Sequence, residues 1–258
     1  MRRIRIDMGT TARWAVTIID PESNAAVSAA PKDPTAMAPS ALLRLLQLVS
    51  PALPVGAYAY SQGLEYAVSA KWVFDEESTF EWLHGVGRLG VGSLDLPILL
   101  RLHCSCLEGD EAQVRRWTAR LIASRETQEL RAEDLQMGRA LARILADCGL
   151  EDARTWERGR PAFATLFALA CARWGIARRE TLAGYMWSWT ENQVLAAVRL
   201  VPLGQTAGQR LLQRLSGGIP SLVERALAVS DEQIGSSAIS QLLASSLHET
   251  QYTRLFRS

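Results

Sequence analysis

From Ala41 to Leu247 the apolar residues of this chain recur at helical spacing, and no stretch after residue 40 alternates as a strand does. That property leaves helix-on-helix packing as the way to bury apolar surface. Leu42, Leu45, Leu46 and Val49 follow the i, i+3, i+4, i+7 template, and Pro51 and Pro54 stop the segment. Ser78-Thr79-Phe80-Glu81 reads as a capping box opening the helix that holds Trp82. Asp95, with Pro97 close behind, reads as the start of another helix through Ile98, Leu99, Leu100 and Leu102, apolar enough to be buried. Gly109 ends it, and Asp110, with Gln113 three residues on, caps the next. Between Phe163 and Trp174 a large apolar face backs onto Ala164, Ala168 and Ala172, the pattern of a central helix that lets a neighbour approach closely. Further helices are predicted over about 181–201, 205–215, 221–229 and 237–247. The expected fold is all-α: a single globular multi-helix domain of about nine or ten helices over residues 40–258, without a solenoid repeat.

Residues 1–39 differ in composition. A short alternating stretch, Trp14 to Ile19, is followed by a Ser/Asn/Ala-rich run and by Pro31, Pro34 and Pro39. This reads as a flexible N-terminal extension outside the helical fold, with Met37 an alternative start. The 28 Lys plus Arg against 27 Asp plus Glu leave a net charge of +1, which supplies no global field for nucleic acid or an anionic membrane. Cys104, Cys106, Cys148 and Cys171 lie inside apolar helical patterns and lack the density of a secreted disulfide scaffold. No apolar run approaches the roughly 18 residues that span a bilayer, and the basic start lacks a signal peptide's apolar region. A soluble protein of the cytoplasm is expected.

Few residues carry recognisable chemistry. Gly85-Val86-Gly87-Arg88-Leu89-Gly90 has the letters of a dinucleotide fingerprint but follows a helical pattern rather than a strand, so glycines in a packed or broken helix are expected instead. His103 and Cys106 share a helix face and could grip one soft metal ion, yet two ligands do not close a site, and a buried thiol beside a satisfied histidine is the ordinary outcome. None of the three histidines, His84, His103 and His248, stands in a nucleophile motif. The charge run Arg125-Glu126-Thr127, Glu129, Arg131 reads as an exposed salt-bridge lattice or as a protein-docking face. Around Tyr58 and Tyr60, two prolines and two glycines specify a bend, and tyrosines with polar tips suit a core plug or an interface.

The chain closes on His248-Glu249-Thr250-Gln251-Tyr252-Thr253-Arg254-Leu255-Phe256-Arg257-Ser258. Tyr252, Leu255 and Phe256 would share one stripe if this segment were helical. Burying three such side chains gains roughly 1.5 to 3 kcal/mol each, and ordering the backbone costs on the order of 1 to 2 kcal/mol per residue. Unaided, the tail is expected to stay loose. It then either folds onto a partner or docks as a last helix on its own domain.

Four segments in order, Leu45-Leu46-Gln47-Leu48 through Glu65, Arg125-Glu126-Thr127, Leu200-Val201-Pro202-Leu203-Gly204-Gln205 and the terminal stretch, resemble the urease accessory protein F (UreF) family from about residue 40 onward. The resemblance implies an all-helical, non-catalytic chaperone with no cofactor of its own. Such a protein forms a homodimer, binds the accessory protein D (or H), recruits the nickel-carrying accessory GTPase G, and acts on apo-urease. It implies that the tail orders on the D/H partner through Tyr252, Arg254, Leu255 and Phe256. Tyr60, Ser61 and Glu65, with Arg125, Glu126 and Arg131, are the candidates for the dimer and GTPase-facing surfaces. Arg199 stands where some members carry a lysine; the charge is kept, but the ammonium chemistry is not. An alternative reading makes the chain a regulator of GTP hydrolysis, with Arg125 or Arg131 reaching the γ-phosphate. A third is a helical metal enzyme using His103 and Cys106.

Overall fold

The computed structural model describes residues 37–258, so the extension expected over 1–39 lies outside the described residues as far as residue 36. Its helices are α1 (Pro39–Val49), α2 (Leu64–Ser69), α3 (Glu76–Val86), α4 (Leu96–Glu108), α5 (Glu111–Ala123), α6 (Gln128–Asp147), α7 (Phe163–Arg173), α8 (Arg178–Leu200), α9 (Gln205–Ser216), α10 (Ile219–Ala228) and α11 (Ile239–His248). The fold is all-α, with no strand among the described residues. No helix there is long and apolar enough to cross a membrane.

Capping explains most boundaries. Gly109, at φ 73°, ends α4, and the Asp110 carboxylate accepts the Gln113 amide at 3.0 Å to open α5, as the sequence suggests. At α3 the box lies three residues earlier than the sequence reading. Asp75 accepts the Ser78 amide at 2.8 Å while Ser78 Oγ accepts the Asp75 amide at 3.0 Å, so Ser78 fills the third helical position rather than the cap. Thr127 caps α6 by accepting the Leu130 amide.

The helix expected to start at Asp95 does not start there. α3 runs without a break into a π-wound stretch, Gly87–Asp95, and on into α4. Asp95 makes no capping bond, because its carboxylate is engaged elsewhere. The glycines of the would-be fingerprint lie in this continuous helix. A Cβ on Gly87 would come within 3.1 Å of Trp189, which is how closely α8 crosses.

Two apolar clusters hold the helices. The larger gathers α4, α5, α6, α7 and the first half of α8, with α7 buried on every side as its alanine face predicts. Gly138 lets the Pro161–Ala162 backbone pass directly over α6; a Cβ there would collide with the Pro161 carbonyl. The second cluster joins Leu64 and Ala67 of α2, Leu83 of α3, the second half of α8, Leu211 and Leu212 of α9, Ala244 of α11, and Phe256. The α1 stripe is only partly buried: Leu48 and Val49 point inward, whereas Leu42, Leu43 and Leu46 remain exposed.

Candidate partner-docking site

Residues 249–258 are not helical. The stripe expected of Tyr252, Leu255 and Phe256 therefore does not form, and these side chains part company. Phe256 is 5% exposed and fills the second cluster; Leu255 is 69% exposed, and Tyr252 stands free of the surface. Nor is the tail loose. Hydrogen bonds to the bend before α2 supply what burial of one aromatic ring alone would not. The Arg257 amide donates to the Ala59 carbonyl at 2.8 Å, and Ser61 donates to the Ser258 carbonyl twice, from its amide at 2.7 Å and its Oγ at 2.5 Å.

Glu65, at the start of α2, is the centre of this attachment. One carboxylate oxygen accepts the Leu255 amide at 2.6 Å, and the other accepts the Phe256 amide at 2.8 Å. Gly63 lets α11 come against the bend. It sits at φ 85°, and a Cβ on it would lie 2.8 Å from the Ser245 amide nitrogen. Behind it Ser245 pairs with Thr127 at 2.8 Å, tying α11 to the start of α6. Arg254 reaches back to Glu129 of α6 at 2.8 Å.

A second polar layer lies beneath. Glu133 accepts Ser258 Oγ at 2.8 Å and Gln62 Nε2 at 2.7 Å, and Trp189 of α8 donates to Gln62 Oε1 at 2.9 Å. Burial pushes the Glu133 carboxyl up to about 7. Gln62 holds a left-handed backbone, φ 55°, unusual for a residue with a side chain. The Tyr60 hydroxyl donates to Gln136 at 2.7 Å, and burial, followed by the nearby Glu133 charge, raises its pKa above the ordinary phenol value.

Deeper still, Arg125 joins two carboxylates. Its Nη atoms donate to Asp95 at 2.5 and 3.1 Å and its Nε to Asp134 at 2.9 Å. Tyr185 and the Phe163 amide donate to the same two carboxylates. Burial opposes the Arg125 charge, but Asp95 and Asp134 outweigh it and hold the guanidinium well above its ordinary value. A cavity of about 110 Å³ opens beside this group, bounded by Arg125, Glu133, Asp134, Tyr185 and Ser188, with room for several waters.

Of the residues expected to face partners, the free chain presents some outward and turns others in. Tyr252, Leu255, Arg254, Glu126 and Arg199 lie at the surface; Glu126 accepts Ser237 Oγ at 2.6 Å, and Arg199 leans on the Tyr58 carbonyl. Tyr60, Ser61, Glu65 and Phe256 are buried and Arg125 faces inward: Ser61 and Glu65 spend their polar atoms on the tail, Tyr60 on Gln136 and Arg125 on the carboxylate pair, while the Phe256 ring fills the second cluster. Arg131 donates to the Arg125 carbonyl. The charge run is therefore no open lattice: its arginine pairs with Asp95, thirty positions away, and its Glu129 lies under the tail. Glu133 also belongs to the site although the sequence drew no attention to it, and Glu129, Gln62 and His248 join it although they stood only within the charge run and the family-like segments, with no role of their own.

His103 is buried with Nε2 on the Ile176 carbonyl at 3.0 Å, and burial pushes the Cys106 thiol up to about 11. Among the described residues no three His, Cys, Asp or Glu side chains gather as a metal cage.

Outside the tail, α11 keeps an apolar outer face of Ile239, Leu243 and Leu247, each more than two-fifths exposed. It runs into the segment bearing Tyr252 and Leu255. The chain matches the family model described as UreF over residues 73–216. It is 49% identical over 216 residues to a protein of Alkalilimnicola ehrlichii, covering 83% of this chain and 95% of that relative. It is 45% identical over 222 residues to one of Hahella chejuensis, covering 86% of this chain and all of the relative. With one of Alcanivorax borkumensis it shares 47% over 229 residues, 85% of this chain and 99% of the relative. All three carry the name urease accessory protein UreF.

Proposed function

Because this chain belongs to the UreF family, whose members are named as urease accessory proteins, we propose that it serves urease maturation as a non-catalytic scaffold in the cytoplasm. In this reading it binds the accessory protein D/H through its tail, joins the accessory GTPase G to that assembly, and helps nickel reach apo-urease.

The observation that carries the reading is the split character of the tail. Phe256 and the backbone of 255–258 anchor it, while Tyr252 and Leu255 are held out bare on the segment that follows α11, a helix with an exposed apolar face of its own. Exposed aromatic and aliphatic groups on an anchored segment are the makings of an interface centre. Arg254 and Arg199 give that surface a charged rim, and Glu126 lies on the exposed side of the α6 cap. The bare leucines of α1, Leu42, Leu43 and Leu46, supply an apolar face suited to a homodimer.

The test is co-purification of the D/H protein with this chain from cells carrying a complete urease operon, with nickel content and urease activity measured alongside. The double change Tyr252→Ala and Leu255→Ala is expected to weaken capture at least tenfold and to lower nickel loading, with the thermal midpoint unchanged because neither side chain is packed. Undiminished capture and nickel loading would refute tail docking.

A further inference from the structure

Between α4, α5, the start of α8 and the end of α10 lies an open cleft of about 490 Å³ that shares no residue with the tail attachment. Three arginines enter it from three elements: Arg101 from α4, Arg116 from α5 and Arg178 from the first position of α8. Asp231 is the only carboxylate among the lining residues, and it is committed to Arg101 Nε at 2.9 Å. The Arg101 side chain is mostly buried and its Nη2 donates to the Val229 carbonyl at 2.6 Å, so it is fixed in place. Next to the other two along the chain, Arg115 and Arg179 find Glu111 and Glu224. Arg116 and Arg178 themselves pair with no carboxylate among the described residues, and they bring two uncompensated charges to one cleft. An anion between them relieves their mutual repulsion and adds its own attraction to each.

The hydrogen-bonding character of the walls points the same way. Trp117 lines the cleft with only 4% of its surface exposed, yet its indole N–H donates to no acceptor among the described residues and is not sealed in the core. Arg116 and Arg120 stand over that ring, their guanidinium carbons 5.8 and 5.2 Å from its centroid, which keeps both beside the cleft. Arg120 spends its donors on the Asp231 and Ile234 carbonyls, so its charge adds to the field without a carboxylate to cancel it. The cleft therefore offers donors from Arg116, Arg178, Trp117 and the Gln113 amide, while its one carboxylate is taken. Oxyanions only accept, and the planar forks of arginine match phosphate and carboxylate groups.

We infer that this cleft binds a compact small-molecule polyanion, with phosphate or carboxylate groups held between Arg116 and Arg178 and against the Trp117 N–H. Its volume lies in the range of small-molecule sites and exceeds what a single small ion fills. Walls from four helices suit a small molecule better than they suit a flat protein surface. Once bound, the anion ties α5 to the start of α8. The cleft can take its ligand whether or not the tail docks the D/H protein, and the tail can dock with the cleft empty.

Calorimetric titration of the full chain with inorganic pyrophosphate, at a fixed ionic strength of about 0.15 M, tests this. Saturable binding of a single equivalent is expected, with a shift of the Trp117 indole N–H resonance. Arg116→Gln and Arg178→Gln should each weaken binding about fivefold or more, and the double variant should abolish it. Both arginines are exposed and unpaired, so the melting temperature without ligand should stay at the parent value. Pyrophosphate should raise the melting temperature of the parent and leave that of the double variant unmoved. Arg143→Gln, an exposed change on α6 away from the cleft, should keep the parent affinity. Citrate carried through the same series separates the two chemistries: tighter pyrophosphate assigns phosphate, and tighter citrate assigns carboxylate. Uptake that does not saturate, or saturable binding that survives in the double variant, overturns the proposal. So does capture of a polyglutamate peptide by a cleft that takes neither small anion, which would make it a protein-docking face.

Discussion

A buried guanidinium between two carboxylates can be exchanged as a group far more safely than in part. Arg125→Ala would leave Asp95 and Asp134 buried without their cation, a loss of about 3 to 5 kcal/mol, whereas the intact triad adds little net stability of its own. The urea midpoint should fall accordingly. Arg125→Lys should recover only part of the loss, because an ammonium cannot fork to two acceptors as a guanidinium does. A midpoint within about 0.5 kcal/mol of the parent would show that the pair is not what holds α6 to the π stretch. The sequence displays the charges around Arg125 but not their partners. Neighbouring opposite charges invite a local pairing, and only folding reveals that Asp95 lies closer in space than Glu129.

At the scale of elements, periodicity served well wherever a helix has one wet and one dry face. The bounds predicted for the helices after residue 180 agree with α8 to α11 to within a few residues. It served poorly at Gly87–Asp95, since π winding changes the hydrogen-bond step without changing the kinds of residue used. The tail differs from expectation in another way: the i, i+3, i+4 spacing of Tyr252, Leu255 and Phe256 would give a stripe only in a helix, and the expected looseness counted burial alone, whereas Glu65 and Ser61 offer its backbone hydrogen-bond partners. Contact between elements here depends on one missing side chain. Gly63→Ala would combine a left-handed backbone with a Cβ pressed on Ser245, so a loss of about 1 to 3 kcal/mol is expected. Faster proteolysis of residues beyond α11 should accompany it. Parent-like proteolysis would mean that α11 can be moved off the bend without consequence to the tail.

For the whole molecule, Glu133 ties stability to pH. Its carboxyl is held at about 7 by burial against an ordinary value near 4.5, so the folded chain keeps a proton that the unfolded chain has lost. Stability from this group is complete in acid below the unfolded value and declines as pH rises from about 4.5 to about 7, by on the order of 3 kcal/mol, then levels off. Glu133→Gln should melt at higher temperature than the parent near pH 8 and show little of that decline; coincident melting at both pH values would place the proton elsewhere.

The continuous helix from Glu76 to Glu108 also shapes how the molecule as a whole comes apart. It puts Leu83 into one apolar cluster and Val91, Leu94 and Ile98 into the other, and α8 does the same with Val194 and Met186. Two rods thus each span both centres. Neither centre can lose its packing while a shared rod stays wound and seated in the other, so the described helices should melt as one cooperative unit despite having two interiors.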